Sequence, residues 1–341
     1  MSVVVLDPFD AVADAALPAL ADALDPDFAT RELNRLPRLS GGHDGSVRLL
    51  AIRVTRHKPG RRCLVEYDVE VQREDIREAF TIIGKLRVHR FGKSGYRMLS
   101  ALHEAGFDDA SRDGISVPEP IGVVPAFRMW MQRKVAGRPA TELLEPGETA
   151  LARRIAEAAH KLHSCRVRAE SRHAMADELR ILRECLGRVA GAEPRWEKRL
   201  DRLVKNCERL GNTLARTRTA TVHRDFYADQ ILVNGCRLTI LDFDLYCRAD
   251  PGLDPGNFLG HMTEQALRLW GDPAALRQPE EALEERFIEL SGEAVRPSLR
   301  AYAALTLVRH VYLSSRSPER RAFTEQLLSL SEERLSASLR P

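Results

Sequence analysis

Four polar side chains crowd one short stretch of this 341-residue chain: Asp225, Gln230, Asp242 and Asp244, all between Thr221 and Asp244. Ile231-Leu232-Val233 reads as a short apolar strand and Arg237 to Leu241 as its return, with Asn234-Gly235 between them. Asn and Gly tolerate the positive φ of a two-residue hairpin turn, so the spacing predicts a tight β-hairpin centred on that pair. Closing the hairpin brings its two ends together and turns Asp225 and Asp242 toward one cleft. Neighbouring carboxylates repel unless one is protonated or a cation lies between them. A divalent metal carrying a phosphate satisfies that condition. A solvated, charged hairpin end is the competing reading of either motif alone.

Composition narrows what such a site serves. The chain has 44% hydrophobic and 30% charged residues, enough for a sizeable core in one bilobal domain or two ordinary ones. A formal net charge of +3 gives no argument for nucleic acid. Cysteines 63, 165, 185, 207, 236 and 247 form no CxxC and no zinc-spaced Cys/His cluster, as in a reduced, cytoplasmic protein. The first residues lack a basic segment and carry Asp7 and Asp10, unlike a secretory signal, and no run of about 18 apolar residues offers a membrane span. The expectation is a cytoplasmic protein with no membrane and no nucleic-acid partner.

The elements that must hold the hairpin come in a definite order. Residues 1–40 read as a helical extension, with one amphipathic helix over 9–25 and a loop over 41–45. Strand-like runs follow at about 47–56, 61–71 and 79–88, then a helix at about 93–105 and strands at 121–124 and 127–135. This β-rich part, 41–135, gives way to a mostly helical part, 136–341, across a linker near Ala136-Gly137-Arg138-Pro139. Within it, 171–218 is a charged two-helix insertion with twelve Lys/Arg against seven Asp/Glu. The expected fold class is α+β, with a small β-rich lobe and a larger helical lobe.

His223-Arg224-Asp225 with Gln230 five residues later, and Leu241-Asp242-Phe243-Asp244, resemble the catalytic and metal-binding segments of the kinase-like phosphotransferases. No glycine-rich GxGxxG loop and no long activation segment of the protein-kinase kind is present. Instead Asp250-Pro251-Gly252-Leu253-Asp254-Pro255 is similar to the Asp-Pro-x-x-Asp segment of the aminoglycoside phosphotransferase and choline kinase superfamily. That resemblance spans about 47–320, with its specific motifs in 221–261. Gln230 in place of the usual Asn is similar to the maltose-kinase branch, and Gln keeps the carboxamide oxygen that a hard cation takes.

The resemblance implies a bilobal, protein-kinase-like fold and an ATP- and Mg²⁺-dependent transfer of the γ-phosphoryl group to a hydroxyl of a small molecule. Asp225 would be the catalytic base, with Gln230, Asp242 and Asp244 at the metal. Asp244 stays open as a metal ligand, a substrate-side carboxylate or an ion-pair partner. Lys85, mid-strand in an apolar run, would contact the nucleotide phosphates. Lys58, Gly60 and Arg61 form a basic turn where the phosphate-covering loop belongs, or an ordinary solvated turn. The glutamate that should orient Lys85 is missing: Arg97 occupies its place, with Glu104 two turns on. His223 reads as a core brace, Asp250 and Asp254 as caps, and one side of Met129-Trp130-Met131 as a wall of the adenine slot or plain core. The basic insertion favours a sugar or sugar-like acceptor over a polycationic aminoglycoside. The reading from another class is a pseudokinase that binds a nucleotide or a partner.

Overall fold

A computed structural model describes residues 3–41, 45–73, 76–88, 94–214 and 219–339. The chain divides into two compact units, Met1–Ala136 and Gly137–Pro341. The first is built on a six-stranded sheet and the second is mostly helical, an α+β, kinase-like bilobal fold.

The first unit opens with β1 (Val4–Leu6), α1 (Ala19–Leu24), α2 (Pro26–Asn34) and α3 (Pro37–Ser40). One helix over 9–25 is therefore not formed. Asp14 folds back to accept from Ala16 N at 3.0 Å, and Pro18 stands where the first helical turn begins. Asp25 then starts a fresh helix by accepting from Phe28 N at 2.6 Å, with Pro26 preset for its first position. The expected loop over 41–45 lies largely outside the described residues.

Next come β2 (Ser46–Lys58), β3 (Arg62–Arg73), β4 (Ile76–Arg87), α4 (Ser94–Glu104), β5 (Ile115–Ser116), β6 (Pro120–Val124) and β7 (Met129–Arg133). The sheet order is β1-β2-β3-β4-β7-β6, and β1, which the sequence pattern did not suggest, adds to the edge parallel to β2. Strand alternation sends Cys63, Val65, Tyr67, Val69 and Val71 to one face, where α1–α3 cover them. Tyr67 donates its hydroxyl to Ala23 O at 3.1 Å there. The other face carries charge: Arg53 pairs with Asp68, and Lys134 with buried Glu66 at 2.8 Å.

The second unit contains β8 (Arg138–Pro139), α5 (Thr149–Ser164), α6 (Met175–Ala192), α7 (Glu197–Thr213), β9 (Ala220–Val222), β10 (Ile231–Asn234), β11 (Arg237–Ile240), β12 (Cys247–Ala249), α8 (Leu253–Trp270), α9 (Arg277–Ser291), α10 (Arg296–Ser315) and α11 (Thr324–Ser338). The two-helix insertion is α6 and α7. Helix α8 is buried on nearly every side and sits close against α10. Gly256 and Gly260 permit that approach, since a Cβ would come within 2.5 Å of Leu299 O and 2.8 Å of Ala303 O. Among the described residues no helix is long and apolar enough to cross a membrane.

Candidate active site

The hairpin forms, but its turn is displaced by one residue from the expected pair. Asn234 pairs with Arg237, so Gly235 and Cys236 are the loop residues. Gly235 takes φ 58° and Cys236 keeps a negative φ, the pattern of a type II′ turn with Gly first. At the open end Leu241 N donates to Gln230 O at 2.9 Å, which sets Gln230 beside Asp242. The outer ends are tied again, because β9 and β12 pair antiparallel, Val222 opposite Cys247. The arms 223–230 and 241–246 thus lie between two fixed crossings, with Asp225 on one and Asp242 and Asp244 on the other.

His223 links the arms directly. It is fully buried, its Nε2 lies 2.7 Å from Leu241 O, and its ring packs on Phe226 and Phe243. This is the bracing role expected of it. Helix α8 then grips the backbone on both sides of Asp225. Asp254 accepts from His223 N and Arg224 N at 2.7 Å each and is met by His163 Nε2 at 2.8 Å. One turn on, Asn257 Nδ2 donates to Phe226 O at 2.9 Å. Burial alone would push the Asp254 carboxyl up, yet the His163 and His223 contacts hold it below the usual carboxylate range. This grip stabilises Arg224 at φ 71°, and Asp242 on the other arm sits at φ 61°. Such left-handed backbone in residues other than glycine persists only where the surroundings fix it.

Burial raises the Asp225 carboxyl above its ordinary range. The charges of His223, Arg309 and Arg224 oppose the rise, while the Asp242 carboxylate adds to it. Gln230 Nε2 donates to the Tyr227 hydroxyl at 3.3 Å, a bond that uses the amide nitrogen and leaves the oxygen for a cation. Asp242 Oδ1 is buried, and Asp244 follows in a 3₁₀ turn. For a magnesium ion the donor types fit: a carboxylate and a carboxamide stand on facing arms of the hairpin, near a second carboxylate whose repulsion a cation would relieve. Among the described residues no group of three or more His, Cys, Asp or Glu side chains is set to hold a metal unaided.

In the first unit Lys85 lies on β4 opposite Leu64 and Trp130, on the sheet face away from α1–α3, with its Nζ 4.8 Å from the Trp130 ring. Met129 and Met131 are buried core, so only Trp130 of that trio shares the face of Lys85. Arg97 and Glu104 are both exposed on α4. Lys58, Gly60 and Arg61 come together at the β2–β3 turn, where Gly60 has φ +65°. The Gly60 N–H donates to Asp14 Oδ2 at 2.8 Å, and His57 Nε2 lies 2.9 Å from the same oxygen. That tether was not legible in the sequence, because Asp14 sits 46 residues upstream of its partner.

Asp250 caps as expected, accepting from Gly252 N and from the Ser298 hydroxyl on α10. Other contributors escaped sequence reasoning. Asn257 Oδ1 accepts from Arg309, whose other nitrogen donates to Glu178 at 3.1 Å, and His173 completes the chain at 3.0 Å. Tyr227 stacks on His261 with ring centroids 4.6 Å apart.

Residues 86–302 match the model of the phosphotransferase enzyme family, more than half of the chain and the whole of the hairpin and its clamps. The chain belongs to the phosphotransferase enzyme family. Among solved structures this phosphotransferase is similar to a choline/ethanolamine kinase family protein from Mesorhizobium loti, at 16% identity and a TM-score of 0.59, covering 92% of this chain and 98% of that one. A choline kinase from Streptococcus pneumoniae aligns at 10% identity and a TM-score of 0.54, covering 88% and 96%. A glucosamine kinase aligns at 15% identity and a TM-score of 0.51, covering 87% and 95%. At these identities the likeness is one of fold. No curated protein matches the sequence.

Proposed function

We propose that this phosphotransferase moves the γ-phosphoryl group of ATP to a hydroxyl of a neutral or anionic small molecule, a sugar or sugar-like metabolite before an aminoglycoside. The observation that carries the reading is the double clamp on Asp225: Asp254 holds the two residues before it and Asn257 the one after. A base clamped in this way takes the acceptor proton without searching for its geometry. Its raised affinity for a proton suits it to that task. Mg²⁺, held by Gln230 and Asp242 with Asp244 beside them, would supply charge neutralisation at the phosphates. Lys85 is assigned to the nucleotide phosphates, and Lys58 and Arg61 to the same charge. Gly60 takes part only through its conformation while its N–H serves Asp14.

The charges around Asp225 support this choice of acceptor class. Arg224 and Arg309 both act on its carboxyl, and Arg309 also pairs with Glu178. The two arginines offset the Asp225 and Asp242 carboxylates, so the surroundings lack the excess of negative charge that would favour a polycation over a polyol. The test is Mg²⁺-dependent ADP release over a panel of sugars, polyols, aminoglycosides, choline and amino alcohols, with Asp225→Asn as control. Turnover on sugars or polyols, lost in the variant, supports the reading. Turnover confined to aminoglycosides or choline overturns the acceptor class, and normal turnover by Asp225→Asn overturns the base.

A further inference from the structure

Helix α8 has a second functional-looking side, facing away from the hairpin. Asp254, Asn257 and His261 share one stripe at helical spacing. Leu259 and Thr263 lie about 200° and about 240° round the helix from Asn257 and line a cavity of about 600 Å³ among α8, α9, α10 and α11. That volume is in the range of small-molecule sites, roughly 300–1,000 Å³. Leu259, Ala304 and Leu307 give it buried apolar wall, joined by half-buried Ala303.

The charged groups on its walls are not equivalent. Glu284 is paired with both Arg296 and Arg300. Arg277, Glu281 and Arg334 are exposed and hydrated. Glu280 is half-buried without an ion pair: among the described residues its carboxylate makes one hydrogen bond, from the Thr263 hydroxyl at 2.8 Å, and Arg334 and Arg277 act on it only from beyond pairing distance. A carboxylate removed from water in this way is stabilised strongly by a ligand cation that pairs with it. Exposed arginines gain little from an anion, because water already satisfies them.

We propose that this cavity is a second, non-catalytic binding site for a small organic ammonium ion, with its charge on Glu280 and its apolar body against Leu259, Ala303, Ala304 and Leu307. Burial raises the Glu280 carboxyl to about 7, against the pull of Thr263, Arg334 and Arg277 and with a push from Glu281. Binding therefore strengthens as pH rises through neutrality.

The test uses the full chain with labelled Leu and Ala methyls, titrated by NMR with the phenethylammonium ion and, separately, with 2-phenylacetate and 2-phenylethanol. At pH 8 phenethylammonium shifts the Leu259, Leu307, Ala303 and Ala304 methyls saturably. Affinity falls about tenfold or more, about 1.4 kcal/mol, in Glu280→Gln and at pH 5.5. Ala303→Leu, which fills the space, blocks it as well. Asp225→Asn leaves it unchanged, so the result stands apart from the kinase reading. The absence of a saturable shift at these methyls would overturn the proposal. So would equal binding by Glu280→Gln, or a preference for 2-phenylacetate.

Discussion

The two faces of α8 bury polar side chains under opposite conditions. On the hairpin face, Asp254 and Asn257 are essentially inaccessible, and their oxygens and nitrogens are met by backbone N–H, backbone C=O, histidine, threonine and arginine. On the cavity face, Glu280 approaches the helix with one hydrogen bond from Thr263. A buried acid with several donors is held ionised, and one with a single donor is pushed toward its neutral form. The directions agree: the Asp254 carboxyl lies below its ordinary range and the Glu280 carboxyl above. A complete set of partners fixes a geometry, while an incomplete set leaves room for a ligand to finish it.

The first way to break this comparison is to remove what the complete face holds. Asp225→Asn keeps the clamp bonds, which involve residues 223, 224 and 226, and deletes only the carboxylate. Turnover falls about 10²–10⁴-fold, the range for a lost general base, while ATP affinity measured by titration changes little. An equal loss of ATP affinity would mean that Asp225 serves binding instead.

The next variant attacks the clamp itself. Asp254→Asn replaces one acceptor oxygen by an amide that faces the backbone N–H groups or His163 with a donor. Leaving such buried partners unmatched costs on the order of 3–5 kcal/mol, read as a shift in the urea midpoint at constant slope. kcat falls with it, since Arg224 loses the bond that holds its left-handed backbone. Wild-type stability in this variant would show that the clamp is redundant.

Local chemistry explains what the sequence made legible. Apolar alternation and turn residues marked β2, β3, β4, β10 and β11, and the 3.6-residue period marked the insertion helices. The hairpin was readable even though its turn slid by one residue, because Gly235 accepts the positive φ of either register. The misses share a cause, which is distance along the chain. Asp14 binds Gly60, Asn257 binds Phe226, and Arg309 binds Glu178 across 131 positions. Asp254 stood out only as a cap, and nothing local says that its oxygens reach back 30 and 31 residues. The helix expected over 9–25 failed for the reverse reason, since local breakers, Pro18 and the turn at Asp14, outweighed its apolar period.

The smallest effect sharpens the comparison from the incomplete side. Burial pushes the Glu280 carboxyl up to about 7 in the folded protein, against 4.5 for an unhindered glutamate. Between those values the folded state keeps a proton that the unfolded chain has released, so stability falls as pH rises through the window. The loss is complete above about pH 8 and reaches about 3 kcal/mol. Glu280→Gln keeps an oxygen for Thr263 and cannot ionise, so it should match wild type at pH 4.5 and exceed it at pH 8, as urea unfolding at both values would show. Asp254 has the opposite sign, because its lowered carboxyl adds stability above pH 4 that is lost only on further acidification. A Glu280→Gln variant no more stable than wild type at pH 8 would place the carboxylate in as good a setting as Asp254, and the two faces of α8 would no longer differ.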